Sequence, residues 1–343
     1  MLELDSRKQE ILKTVIHTYI RAAEPVGSES VAHRIRLGIS PATIRNEMAV
    51  LEEIGYLSHP HPSAGRVPTD RGYRFYVDSM LEEEQLTPQE RYRIRRRFVN
   101  LTEEIGRVPE EAARTLASVT NYASVVAEPR PDRRVFKHLH FIPLSSTQVM
   151  AVIVTNTGAL EGMMLDLVEP LALQELDRLS RMVSQRLEGC TLVEITDEML
   201  AKVVDEAAWQ QRILHQLAQW LRHNFPAGAD RRVYIEGTAN ILKQPEFQDA
   251  RAARPVLTAL EREEVVADLL EHTPNRQVWV TIGREHRYED LRGCSVVAAV
   301  YQVGGHDAGA LGIVGPTRMK YSKVISLVRY LADSLTGLLR QSS

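Results

Sequence analysis

The sequence predicts an α+β protein of more than one domain, and three observations carry that expectation. At 343 residues the chain is longer than one typical hydrophobic core organises. Its first eighty residues place apolar side chains at helical spacing, punctuated by Gly and Pro. Beyond residue 130 the apolar pattern twice turns to alternation, at 138–167 and again from 233, with helical stretches after each. A composition of 44% hydrophobic and 25% charged residues suits a soluble globular chain. No run of 18 apolar residues offers a membrane span, and residues 1–10 lack the basic and apolar regions of a secretory signal.

Taken in order, Asp5 is placed to cap a first helix whose Ile11, Leu12, Val15, Ile16, Tyr19 and Ile20 form its inner stripe. Glu24 to Gly27 break it. Ser28 caps a short second helix, with Val31, Ala32 and Ile35 inward and His33, Arg34 and Arg36 outward. Gly38 supplies the turn that follows, because it accepts positive φ at no steric cost. Ser40-Pro41 opens a third helix with a capping hydroxyl and a proline at its first position. Ile44, Met48, Leu51 and Ile54 are its buried stripe and Gly55 its stop. Two short strands, Tyr56–Ser58 and Gly65–Val67, flank the loop from His59 to Ala64, with Gly65 turning the chain back. Thr69-Asp70 then caps a fourth helix carrying Arg71, Tyr73 and Arg74. Helix, glycine turn, capped helix and proline-rich wing in this order make a winged helix-turn-helix, an architecture that reads duplex DNA. The start of the third helix presents Thr43, Arg45 and Asn46, types that match thymine, guanine and adenine edges, and these are the expected base readers. Ser40, Arg66, Arg71 and Tyr73 are the expected phosphate contacts.

The rest of the chain is read more coarsely. Residues 81–88 form a charged link ending the first domain, and Thr87-Pro88 caps a helix whose Arg91, Arg93, Arg95, Arg96 and Arg97 make a solvated face. Pro109 opens another helix, with Ala113, Leu116 and Ala117 inward. Strands are expected at 138–144, 148–155 and 160–167, and helices at about 172–188, 197–207 and 208–224, enough for a self-contained α+β layer. A strand Val233–Glu236, a helix around 254–271, strands 278–282, 295–303 and 309–314, and a closing helix Lys320–Leu339 follow. Antiparallel strands between N- and C-terminal helices fit a GAF-like sensor domain.

Several chemistries are set aside. Cys190 and Cys294 lie far apart in apolar surroundings without paired spacing, which reads as two buried free thiols in a reducing cytoplasm. His59 and His61 have no third ligand nearby, so no metal site is assigned. Gly312 to Lys320 lacks phosphate-loop spacing, and Pro316 removes a donor such a loop needs. No nucleophile–base or paired-carboxylate motif has a recognisable setting, so no catalytic residue and no cofactor are assigned, and the chain is not expected to be an enzyme. The net charge of −3 confines any DNA contact to a local basic face.

Three segments make the chain resemble one family closely: LGISPATIRNEMAVLEEIGYL (37–57), SHPHPSAGRVPTDRGYRFYVD (58–78) and GALGIVGPTRMKYSKVISLVRYLADSL (309–335). The segments at 137–162 and 231–247 are similar too. This family is the heat-inducible transcription repressor HrcA family of bacteria, and GPTRMKYS and the wing segment are its most particular marks. The resemblance implies a dimeric repressor of chaperone operons that binds an inverted repeat, the CIRCE operator, upstream of groE and dnaK genes and needs the GroEL chaperonin to stay active. It implies a winged-helix domain at 1–80, a GAF-like domain at 85–130 and 226–343, and an inserted dimerising domain at 131–225. A metabolite-responsive winged-helix regulator, with the GAF-like domain as ligand switch, is the competing expectation; a polar-lined pocket there would favour it.

Overall fold

The computed structural model describes residues 4–35, 38–61, 64–98, 107–128, 134–156, 160–202, 208–225, 232–270, 278–303 and 306–341. Helix α1 (Ser6–Ala22) starts at Asp5, whose carboxylate accepts the Lys8 N–H. It packs Ile11, Leu12, Val15 and Ile16, all fully buried, against α2 (Ser28–Arg34) and α3 (Pro41–Glu53). Gly27, not Ser28, occupies the cap position of α2; Ser28 is already helical and buried. Gly38 has φ +63°, the left-handed turn that lets α3 set off in a new direction. The expectation for Arg36 falls outside the described residues, as does the loop at Pro62 and Ser63.

Strands β1 (Leu57–Ser58) and β2 (Val67–Pro68) pair antiparallel, and a bridge from Val26 to Arg66 adds the stretch before α2 to the wing. Gly65 is needed there for a reason other than turning: a Cβ at this position would lie 2.4 Å from the Val26 carbonyl carbon. Helix α4 (Asp70–Ser79) follows, capped by the Thr69 hydroxyl.

The charged link is not loose. Glu82 meets Lys13 at 3.3 Å, Glu84 meets Lys323 at 3.3 Å, Glu83 pairs with Arg329, and Leu86 is buried. Helix α5 (Pro88–Phe98) continues it, with Glu90 2.6 Å from Lys323, and helix α6 (Val108–Thr120) leads into strand β3 (Ala123–Ala127). This strand is absent from the sequence reading.

Next come β4 (Phe136–Pro143), β5 (Gln148–Thr155) and β6 (Leu160–Asp166), an antiparallel sheet in that order. Helices α7 (Leu173–Leu187), α8 (Asp197–Ala201) and α9 (Ala208–Asn224) follow it. Leu176, Leu179, Val183 and Leu187 of α7 pack with Leu139, Ile153 and Leu165 of the sheet and with Leu214 and Leu217 of α9. Only one sheet face is covered by these helices. The other carries His138, His140 and Ile142 opposite Val154, Val152 and Met150, with Leu160 and Met164 on β6. Leu160 is 68% and Met164 50% exposed.

Strand β7 (Val233–Glu236) returns to pair with β3, two 3-10 turns span Thr238–Lys243 and Pro245–Phe247, and α10 (Ala250–Leu260) and α11 (Glu263–Leu269) follow. The single helix expected over 254–271 is thus two, parted at Glu261-Arg262; residue 271 lies outside the described residues. Strands β8 (Val278–Ile282), β9 (Cys294–Val303) and β10 (His306–Pro316) and helix α12 (Tyr321–Gln341) complete the chain. The five-stranded antiparallel sheet runs β7-β3-β10-β9-β8. Period-two alternation divides its side chains: Val126, Val297, Leu311 and Ile313 face α6 and α12, whereas Val125, Val296, Ala298 and Val314 face α10, α11, Phe247 and Trp279. Both faces are filled by side chains. The first cluster is continuous with the core of the winged helix, from Ile11 through Tyr73 to Leu335. Cys294 is buried, and burial pushes its thiol up to about 12, while Cys190 is half-exposed rather than buried.

Candidate nucleic-acid interface

The recognition surface begins with the way α3 starts. Ser40 Oγ accepts the Thr43 N–H at 3.2 Å and lies 3.0 Å from Thr43 Oγ1, and Pro41 fixes the first turn. These contacts satisfy one backbone donor and leave others free at the positive end of the helix dipole, a setting that suits a phosphate. No acidic residue stands in the first turn. Pro41, Ala42, Arg45 and Asn46 are exposed and Thr43 is half-buried. Arg45 and Asn46 hold no partner among the described residues, so both side chains are free to meet base edges. Ile44, Met48 and Leu51 are buried and fix the rotation of the helix that turns those two outward.

Two of the three acids of α3, Glu47 and Glu52, are paired with cationic neighbours. Glu47 lies 3.3 Å from Lys8 and 3.5 Å from Arg7, both brought by α1. These two cations beside the recognition helix were not legible in the sequence, since nothing local links residues 7 and 8 to residue 47. Glu52 lies 2.7 Å from Arg66 Nε and 3.9 Å from His59 Nδ1. The His59 Nε2 sits 2.8 Å from the Ala64 carbonyl, closing the wing loop on itself.

The seven expected contacts therefore fall into three places. Ser40, Thr43, Arg45 and Asn46 gather at the N-terminal end of α3. Arg66 and Arg71 gather at its other end, about 20 Å away along thirteen residues. Arg66 is held by Glu52, and Arg71 donates to the Ile54 carbonyl at 2.9 Å while its guanidinium lies 5.1 Å from the Tyr56 ring centroid. Arg71 is exposed and so keeps a face toward solvent. Tyr73 requires a correction. It is 1% exposed, its ring lies 5.8 Å from that of Tyr321, and its hydroxyl is buried without a hydrogen-bond partner among the described residues. Burial raises its pKa well above the ordinary tyrosine value. A side chain so enclosed does not reach a phosphate. Arg74 also faces away from the wing surface: it binds Glu285 and donates to the Val280 carbonyl at 2.6 Å.

The winged-helix segment and the body that follows it both have counterparts among known proteins. Residues 3–80 match the family model described as the winged helix-turn-helix transcription repressor HrcA DNA-binding domain, and residues 107–325 match that of the HrcA protein C-terminal domain. Among proteins named heat-inducible transcription repressor HrcA, that of Desulforamulus reducens is 37% identical over 98% of each chain. That of Moorella thermoacetica is 39% identical over 99% of each chain, and that of Geobacter sulfurreducens 38% identical over 99% of each. A crystal structure described as that of a hypothetical protein shares the fold, with a TM-score of 0.61, 22% identity and coverage of 99% of this chain and 100% of that one.

Proposed function

The chain belongs to the HrcA family of heat-inducible transcription repressors, and on that premise we propose how it silences heat-shock genes: two copies seat α3 in successive major grooves of an inverted-repeat operator, the CIRCE element upstream of groE and dnaK genes. The observation that carries this reading is the exposed, acid-free, Ser40-capped start of α3, with Arg45 and Asn46 unpartnered. Arg45, Asn46 and Thr43 read bases. Ser40 and the backbone donors beside it take a phosphate, and Arg66 and Arg71 take phosphates at the wing side.

The pairing of readers is supported by the uncovered face of the β4-β5-β6 sheet. A stripe holding Ile142, Met150, Leu160 and Met164 is costly to leave in water. A second copy of the same layer, related by the two-fold axis an inverted repeat demands, covers it. We accordingly assign 131–225 to dimerisation, inserted into a GAF-like domain of residues 85–130 and 226–343, with the reader at 1–80. The adjacency of β3 and β7 supports this division, since the chain leaves and re-enters one sheet at neighbouring strands. Heat responsiveness follows from marginal stability coupled to the GroEL chaperonin, because a few kcal/mol sets the fraction of folded binder.

A gel shift with a labelled inverted-repeat duplex at fixed salt tests this reading. A specific shift, increased by added chaperonin with ATP, is the expected result. Equal retention of operator and scrambled duplex would remove the base-reading role of α3, and an operator shift indifferent to chaperonin would remove the chaperonin from the reading.

A further inference from the structure

The winged helix is not tethered to the rest of the chain by its link alone. At the first anchor, Arg74 of α4 donates from Nε to Glu285 Oε1 at 2.8 Å, pairs through a second nitrogen with Oε2, and reaches the Val280 carbonyl at 2.6 Å. Glu285 is itself fixed by the Ile282 N–H at 2.8 Å. At the second, Asp70 accepts the Arg284 N–H at 2.9 Å, and its carboxylate sits so close to Gly283, at φ +52°, that a Cβ there would lie 2.3 Å from it. At the third, Arg318 donates from Nη1 to the Ile20 carbonyl at 2.7 Å, and binds Glu246 through Nε at 2.6 Å and Nη2 at 3.2 Å.

The Ile20 carbonyl belongs to the last turn of α1, where no intrahelical donor reaches it, so a guanidinium satisfies it and complements the helix dipole. The Arg318 side chain is 11% exposed. The three anchors lie on two different helices of the reader and on two separate segments of the body, residues 280–285 and Arg318. Contacts at two separate places restrain the reader's orientation more than the link alone would.

We propose that Arg74, Asp70 and Arg318 are positioning residues that set the operator spacing this repressor accepts. They touch no DNA. They act by fixing where each α3 stands relative to the body, and hence relative to the partner copy's α3. This inference rests on the two-reader mode proposed above. Half-site affinity belongs to α3 and the wing, whereas the preference for one separation between half-sites belongs to the junction.

The test compares full-length wild type with Glu285→Gln, Glu246→Gln and the exchanged pair Arg74→Glu/Glu285→Arg. Fluorescence anisotropy is read on a single half-site duplex and on duplexes carrying two half-sites, with spacers lengthened one base pair at a time through a helical turn. Wild type should peak at one spacing and fall about tenfold or more at half a turn away. Glu285→Gln and Glu246→Gln should keep the half-site affinity while discrimination between spacings shrinks to about threefold. The exchanged pair should recover part of it. A wild-type spacing profile retained in both glutamine variants overturns the proposal, and so does an equal loss on half-site and full operator, which marks a merely structural role. Glu246→Gln tests the same point from a separate anchor if Glu285→Gln fails to fold. A wild type that binds two half-sites no better than one sinks the two-reader mode itself, a result distinct from retained spacing preference.

Discussion

Arg66 can serve a phosphate only by leaving Glu52, and that exchange gives a prediction with an uncommon sign. The Nε–Oε2 separation of 2.7 Å corresponds to a gross attraction of about 6 kcal/mol at an effective dielectric near 20. The side chains are 17% and 32% exposed, and the Nε–H is not aligned as a hydrogen bond. Desolvation and side-chain ordering therefore leave a net worth of about 1 kcal/mol. Glu52→Gln should cost the free protein about that much stability while removing the competitor for Arg66. Operator affinity should then rise by about 1 kcal/mol, roughly fivefold. Arg66→Ala should lower affinity on operator and scrambled DNA alike, and reduce the slope of log K against log salt by about 0.9. Anisotropy titrations at two or three salt concentrations measure both. If Glu52→Gln weakens binding as Arg66→Ala does, Arg66 is a brace for the wing and the phosphate role is wrong.

Arg45→Ala should cost about 1–3 kcal/mol of operator affinity and relax the base preference at one position; selection from a randomised half-site would show an unchanged motif if Arg45 does not read a base. Tyr73→Phe should change stability by no more than about 1 kcal/mol in either direction, since the lost hydroxyl has no partner, and leave the DNA titration untouched; weakened DNA binding at unchanged melting temperature would restore Tyr73 to the interface. His286 is buried, and burial holds its pKa below 6.5, so the unfolded chain takes up a proton there before the folded chain does. Stability should therefore fall as pH drops below about 6.5, by at most about 1.4 kcal/mol per pH unit from this residue until its folded pKa is reached. Urea melts of His286→Gln should show a shallower fall over the same window; an identical slope would assign the dependence to other groups. Leu160→Glu with Met164→Glu should yield monomers by sedimentation, and a persisting dimer would move the interface off the β4-β5-β6 face.

What the residues announce in advance follows the range of the forces involved. The caps at Asp5, Ser40 and Thr69 and the glycine turn at Gly38 are local chemistry, and the structure places each where spacing puts it. The strand Ala123–Ala127 escaped because all five residues are buried, leaving no alternation to see, and three of them are Ala or Ser. The division at Glu261-Arg262 is masked by apolar residues on both sides. At the candidate interface, Ser40, Thr43, Arg45 and Asn46 could be grouped from sequence alone because they lie in the first two turns of one capped helix. Arg66, Arg71 and Tyr73 were less so, since their surroundings are set by Glu52, Ile54 and Tyr321, residues that sequence proximity does not supply. The segment GPTRMKYS was legible as a family mark but not as a device; its Arg318 meets Ile20 across almost the whole chain.

The strand order has a consequence for synthesis. Strand β3 emerges early from the ribosome, yet Val125 pairs with Gly312 on one side and Ile235 on the other. Translation at about 5–20 residues per second leaves β3 with both edges bare for seconds, while the winged helix ahead of it can already close. Most of the anchors that dock the reader, at Val280, Glu285 and Arg318, are translated late as well. Until α12 appears, Tyr73 of the reader also lacks Tyr321, the ring it packs against in the finished chain. Long-range pairing of this kind is slow and aggregation-exposed. Each fresh molecule therefore passes through a state in which the edges of β3 wait for partners made more than a hundred residues later.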